Sequence, residues 1–265
     1  MFDKGALHAV RFGLVDAAYD YDGDDWAGDV LAPWLRERPS FVATVRRVGA
    51  PDMHAAPLAA EDSWALYALS RVVDLLLLDH QPARNDEAAW VGPGAYGALA
   101  DAFGGWWPHG AAYHPFLHEI VEVVPADDPA EPPSVVREWW PGFLCNALLV
   151  TRGGVTVRAG AEVLDPAVAA GSPLYFTWRR RYRRAVDLSH GWGSNSQWRT
   201  GFRRDYLADG AFHYNVDGAG RPDDHWDGLT PAEVADLVRY RAGTLVDRGG
   251  DAWPFDTRVR DRATI

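Results

Sequence analysis

The densest set of groups able to do chemistry lies at 187–206, DLSHGWGSNSQWRTGFRRDY. His190, Ser194, Asn195, Ser196, Gln197, Arg199, Arg203 and Asp205 sit there among Trp192, Trp198, Phe202 and Tyr206. A solvated loop has little use for so many aromatic rings, and a core element has little use for so many hydrogen-bonding groups. Gly191 and Gly193 let the backbone close on a ligand. Ser194 or Ser196 at a helix start would leave free N–H groups aimed at an anion. Arg199 and Arg203, four apart, then share a face of that helix and can grip a phosphate or carboxylate in a fork. His190 titrates near neutrality and is the expected general acid or base. A second wall is expected from FHYNVDG, 212–218, where His213, Asn215 and Asp217 alternate onto one face. The competing expectation is a polar turn whose side chains satisfy one another. Gly-Trp-Gly-Ser-Asn is not a nucleophile elbow, because Asn195 stands where the last glycine belongs.

A second cluster is YHPFLHEIVEV, 113–123. His118 and Glu122 lie four apart and share a face on either a helix or a strand, with His114 on the same side. His114, His118 and Glu122 are a possible ligand set for Zn or non-haem Fe, and His118 is a second candidate acid or base. Neither H-E-x-x-H nor H-x-x-E-H is present, so ordinary hydrogen-bonded histidines are the simpler expectation. There is no GxGxxG and no Walker P-loop, and no other cofactor is indicated.

These groups need elements to hold them. Residues 24–38 read as a helix interrupted at Pro33, and SFVATVRRV, 40–48, as a strand. Residues 60–79 give a long amphipathic helix, and AYGALADAF, 95–103, a short one. FLHEIVEVV, 116–124, is strand-like, and PADDPAEPPS, 125–134, is an exposed linker. NALLVTRGGVTVRAG, 146–160, predicts a hairpin around Arg-Gly-Gly, and 173–184 a further strand. Thr230-Pro-Ala-Glu233 is a capping box opening a helix to about Arg241. The tail from Gly249 is polar and is expected to meander. The expected fold is a single α+β domain: helix-rich over 1–124, linked by 125–134 to a β-rich, mainly antiparallel 135–265.

Composition narrows the function classes. Of 265 residues, 48% are hydrophobic, enough for a substantial core and against wholesale disorder. The longest apolar run, 142–150, contains Asn146 and is far short of a membrane span. No basic-then-apolar leader opens the chain, and a cytoplasmic location is expected. The lone Cys145 lies in an apolar run and reads as a buried small hydrophobe. Lys4 is the only lysine beside 25 arginines, the mark of a GC-rich coding sequence of actinobacterial type, so arginine abundance alone means little. Thirteen tryptophans are a further excess.

The net charge is −11, carried by the first half: residues 1–132 hold 8 Lys/Arg and 21 Asp/Glu, while 133–265 hold 18 and 16. This opposes general nucleic-acid binding. Eight arginines within 178–204 can serve an anion site or fold back on the acidic half. Two readings result. One is a pocket for a small anionic ligand, using histidine acid–base chemistry. The other is a non-catalytic acidic protein that neutralises a basic protein partner, as immunity proteins neutralise toxins. Exposure of Trp26, Trp34, Trp106 and Trp107 would favour the second. Oligomeric state is not legible.

Overall fold

The computed structural model describes residues 9–80, 91–92, 94–171, 202–224, 226–241, 243–246 and 254–263. Helices come first. A π-type turn, Arg11–Val15, leads into α1 (Asp16–Asp20), and a second, Ala27–Leu31, runs on into α2 (Ala32–Glu37), which contains Pro33. Next come α3 (Pro39–Val48), a 3₁₀ turn (Pro51–His54), α4 (Ala60–Leu76) and α5 (Gly94–Ala102). Residues 40–48, expected as a strand, are therefore helical. Their β-branched residues favour a strand, but Phe41, Val45 and Val48 recur at helical spacing and are the buried residues of α3.

The strands are β1 (Gly105–Trp106), β2 (His118–Pro125), β3 (Ser134–Trp140), β4 (Phe143–Cys145), β5 (Leu148–Thr151), β6 (Gly153–Ala159), β7 (Tyr206–Ala208), β8 (Ala211–Tyr214) and β9 (Val259–Arg262). Two helices, α6 (Pro166–Gly171) and α7 (Pro231–Tyr240), accompany them. The six-stranded sheet runs β1-β4-β5-β7-β8-β9, antiparallel throughout. The three-stranded sheet runs β2-β6-β3, with β2 parallel and β3 antiparallel to β6. The protein is α+β, with most helices N-terminal and antiparallel-rich sheets in the C-terminal half.

The hairpin expected over 146–160 does not form. β5 and β6 are consecutive in the chain but belong to different sheets. Arg152 lies buried at the break, and its Nη1 donates to the carbonyls of Pro115, His118 and Tyr240. Both runs are buried along nearly their whole length, so neither has the solvent face of a free hairpin. Gly153 and Gly154 are not turn residues either. A Cβ on Gly153 would meet the Trp107 ring at 2.9 Å, and one on Gly154 would enter the Trp140 ring. Residues 125–134 are mostly exposed, as expected, but are tied down: Ala126 N–H donates to Ala159 O, Gly160 N–H to Glu131 O, and Arg158 pairs with Glu131.

The main core joins both halves. Leu66, Leu69 and Leu76 of α4 and Phe41 and Val45 of α3 pack with Phe143, Cys145, Leu148 and Tyr206 of the large sheet. A second cluster, on the other side of β8, holds Phe116, Phe212, Tyr214 and Val238. Thr230 caps α7 as expected: its hydroxyl accepts from Glu233 N–H, and the Glu233 carboxylate accepts from Thr230 N–H. Among the described residues no helix is long and apolar enough to cross a membrane.

Candidate anion-binding cleft

A cleft of about 550 Å³ opens beside the β7–β8–β9 end of the large sheet. Among the described residues, Arg221, Arg239, Arg258 and Arg260 line it together with His54, His213 and the carboxylate of Asp223. That is a concentration of cationic and titratable groups in a protein of net charge −11.

Local structure explains each placement. β7 and β8 are joined by Asp209 and Gly210, with φ of 51° and 66°, the two left-handed positions of a type I′ hairpin turn. This turn sets the register of β8, and His213 stands directly across from Arg260 on β9. Directly opposed residues share a face, so the imidazole and the guanidinium point the same way. Phe212 and Tyr214, on alternate positions, belong to the buried cluster, and Tyr214 also borders the cleft.

His54 ends the 3₁₀ turn Pro51–His54, and Arg204 fastens that segment to the sheet. Its Nη1 donates to Met53 O and its Nη2 to Ala56 O, both at 2.9 Å. Asp217 holds the same guanidinium from the far side, at 2.8 Å from Nε and 2.6 Å from Nη2. Tyr206 adds a bond from its hydroxyl to Val48 O and an edge contact with the His54 ring.

Arg221 and Arg258 are brought together by backbone. Gly220 N–H donates to Asp256 O at 2.8 Å, and Arg258 N–H donates to Gly220 O at 3.0 Å. Asn215, with a left-handed φ of 52°, donates from Nδ2 to Phe255 O and Thr257 O and so anchors the strand that delivers Arg258 and Arg260.

The two imidazole rings lie 4.3 Å apart, centroid to centroid. His54 Nδ1 is 2.7 Å from Pro51 O, and His213 Nε2 is 3.2 Å from Ala208 O. A carbonyl only accepts, so each of those nitrogens carries the hydrogen. The lone pairs of the neutral rings are then on His54 Nε2 and His213 Nδ1. Burial, and next the neighbouring His54, depress the pKa of His213, while Asp209 pulls the other way from 3.7 Å off His54 Nε2.

Of the four arginines, Arg239 is already committed. Asp261 grips it through Nε and Nη2, Asp236 through Nη1, and its pKa is raised by those bonds against the cost of burial. Arg221, Arg258 and Arg260 form no ion pair among the described residues.

The residues singled out in the sequence fall in several places. His190, Trp192, Ser194, Asn195, Ser196, Gln197, Trp198 and Arg199 lie outside the described residues. Arg203 is not on a helix face. Residues 202–205 run without helical structure into β7, and the Arg203 side chain is fully buried against Asp205. Asp205 accepts from Arg203 Nε at 2.8 Å, from Asn215 N–H at 2.7 Å, and from Arg241 Nη2. Burial alone would raise the Asp205 pKa, but the two guanidiniums hold it below the usual carboxylate value. This is an internal clasp, the arrangement the sequence left as the competing expectation. Asn215 belongs to the same clasp and faces the cleft's frame rather than its space.

His213 lines the cleft, but the metal trio is not assembled. His118 Nδ1 accepts from His114 N–H, and His114 Nδ1 from Phe116 N–H. His118 is buried between Tyr113 and Trp107, and burial lowers its pKa to about 4. A bulge between Ile120 and Glu122 breaks the alternation, so Glu122 is exposed and meets Thr156. Among the described residues no group of three His, Cys, Asp or Glu is placed to hold a metal ion. His114 stacks on Phe212, on the opposite face of β8 from His213.

Trp26 and Trp34 are buried, Trp107 is half-buried and Trp106 is exposed. No family model, no curated protein and no solved structure matches the chain.

Proposed function

We propose that the cleft between His54, His213 and the β9 arginines binds a small anionic ligand, and that the two histidines serve it as acid and base. The observation that carries this reading is the convergence of Arg221, Arg258 and Arg260, without ion pairs among the described residues, on two imidazoles only 4.3 Å apart. Guanidiniums offer paired donors to oxyanions. His213 Nδ1 is the base, because burial keeps this ring neutral. His54 Nε2 lies 3.7 Å from the Asp209 carboxylate. A reducing, cytoplasmic setting fits the buried thiol of Cys145.

The test is calorimetric titration of inorganic phosphate into the protein and its Arg260→Ala variant. Loss of one charge-assisted contact should weaken binding by about 1.5–3 kcal/mol, roughly 10- to 150-fold. Arg260→Lys should restore only part, since an ammonium lacks the planar fork. Equal affinity in all three proteins would reject the site.

A second reading, a non-catalytic protein neutralising a basic partner, draws on exposed Asp20, Asp22, Asp24 and Asp25 near the N-terminus. Burial of Trp26 and Trp34 takes away two of the rings such a face was expected to offer.

A further inference from the structure

Arg152, at the break between β5 and β6, is only 3% exposed and does not line the cleft. A guanidinium carries five N–H groups. Nη1 directs its pair at the carbonyls of Pro115, His118 and Tyr240, at 3.2, 3.4 and 3.0 Å. Among the described residues, the buried Nε and Nη2 have no hydrogen-bond partner, and Arg152 forms no ion pair. Nε–H and one Nη2–H lie side by side, the fork with which arginine grips an anion in two contacts. We propose that this edge, together with the Tyr113 hydroxyl, holds a small monovalent anion of the chloride class, buried with the chain.

The surroundings supply further donors. The Tyr113 ring stacks on those of His118 and Tyr240, with centroids 5.8 and 6.4 Å away. Those two residues also offer the carbonyls that hold Arg152 Nη1, which brings the Tyr113 hydroxyl within electrostatic reach of Arg152. Among the described residues that hydroxyl is buried without a partner. So is the hydroxyl of Tyr214, 1% exposed and also within reach of Tyr113. Burial lowers the Arg152 pKa to about 10, and Arg241 acts in the same direction. Glu119 and Asp205 pull the other way, but neither forms an ion pair with Arg152. Asp205 is already bonded to Arg203, Arg241 and the Asn215 amide. A buried cation without a contacting counter-charge is costly. Water could satisfy the N–H groups but brings no charge to offset the guanidinium. Desolvation cost climbs with the square of the ionic charge, so a monovalent ion suits a buried edge better than sulfate or phosphate.

Bromide is the probe for the crystal, because it replaces chloride and scatters anomalously. Protein purified and crystallised in sodium bromide, free of chloride, should give a bromine-edge anomalous peak beside Arg152 Nε and Nη2. In solution, thermal unfolding is followed by near-ultraviolet circular dichroism while chloride replaces isethionate at constant ionic strength. The melting temperature should stay flat at low chloride and climb with the logarithm of its concentration beyond an onset set by Kd. Tyr113→Phe keeps the ring stack and removes one donor to the ion, so that onset should move up by roughly tenfold or more. Because Tyr113 does not line the cleft, the shift separates this site from any anion bound there. Water density beside Arg152 without an anomalous peak, or bromide in the cleft alone, overturns the proposal. So does a melting temperature equal in chloride and isethionate, or an onset unmoved by Tyr113→Phe.

Discussion

Replacing Asp205 by Asn should be among the most damaging single changes in the described part of the protein. The substitution keeps the shape and removes the charge. The carboxylate is buried, and it receives the Arg203 and Arg241 guanidiniums and the Asn215 amide together. Arg152 and Arg241 are within electrostatic reach of the same centre, and burial together with Arg241 lowers the Arg152 pKa to about 10. Loss of the carboxylate therefore leaves buried cations facing one another. Breaking a buried ion pair from one side typically costs about 3–5 kcal/mol. At about 2–4 °C per kcal/mol for a chain of this size, the melting temperature should fall by roughly 6–20 °C. Urea denaturation followed by tryptophan fluorescence measures the change. The exposed Arg38–Glu37 pair supplies the control, and Glu37→Gln should shift stability by no more than about 0.5 kcal/mol. The sign with pH is fixed as well. Asp205 has a folded pKa below its unfolded value, so its contribution is complete above the unfolded carboxylate pKa and is lost only as pH falls through the folded one. An Asp205→Asn protein as stable as the wild type would refute the clasp.

Three further outcomes follow from the same geometry. Asn215→Ala should lower stability by about 2 kcal/mol, since it leaves the Phe255 and Thr257 carbonyls without donors, and should also weaken phosphate binding, because Arg258 and Arg260 ride on that strand; unchanged affinity would detach β9 from the site. His118 has a folded pKa near 4, below its unfolded value, so its term is complete above about pH 6.5 and is lost as pH falls toward 4, by roughly 3 kcal/mol in all. His118→Asn should then show a shallower decline in urea midpoint over that window than the wild type. Cys145 is buried, with its pKa raised by burial to about 11, so a thiol reagent at neutral pH should label the native protein far more slowly than the urea-unfolded chain.

Much of the frame is legible in the sequence where pattern and packing agree. The long helix over Ala60–Leu76, the Thr230 capping box and the strand Ala211–Tyr214 are written in local spacing and turn chemistry. α3 misleads because its β-branched residues speak for a strand, while its buried face, Phe41, Val45 and Val48, answers to a helix partner. β5 and β6 mislead because a run buried on both faces carries no sign of which sheet it joins. Of the cleft, only His213 stands out beforehand. His54 sits in an unremarkable loop, and nothing local ties it to β8. Arg258 and Arg260 lie in what reads as a meandering tail, although the alternation Arg258-Val259-Arg260-Asp261-Arg262 is a strand signal with the arginines on one face. Arg203 and Asp205 draw attention through the same density of polar groups that an internal clasp requires, and composition does not separate the two uses.

The most direct measurement is a crystal of the protein soaked in selenate, a heavy isostere of sulfate, with anomalous data collected at the selenium edge. The account predicts a peak in the cleft within hydrogen-bond reach of the Arg258 and Arg260 guanidiniums and of the His54 or His213 ring, lost in crystals of Arg260→Ala. A cleft empty of selenium while selenate occupies other arginines on the surface would contradict it.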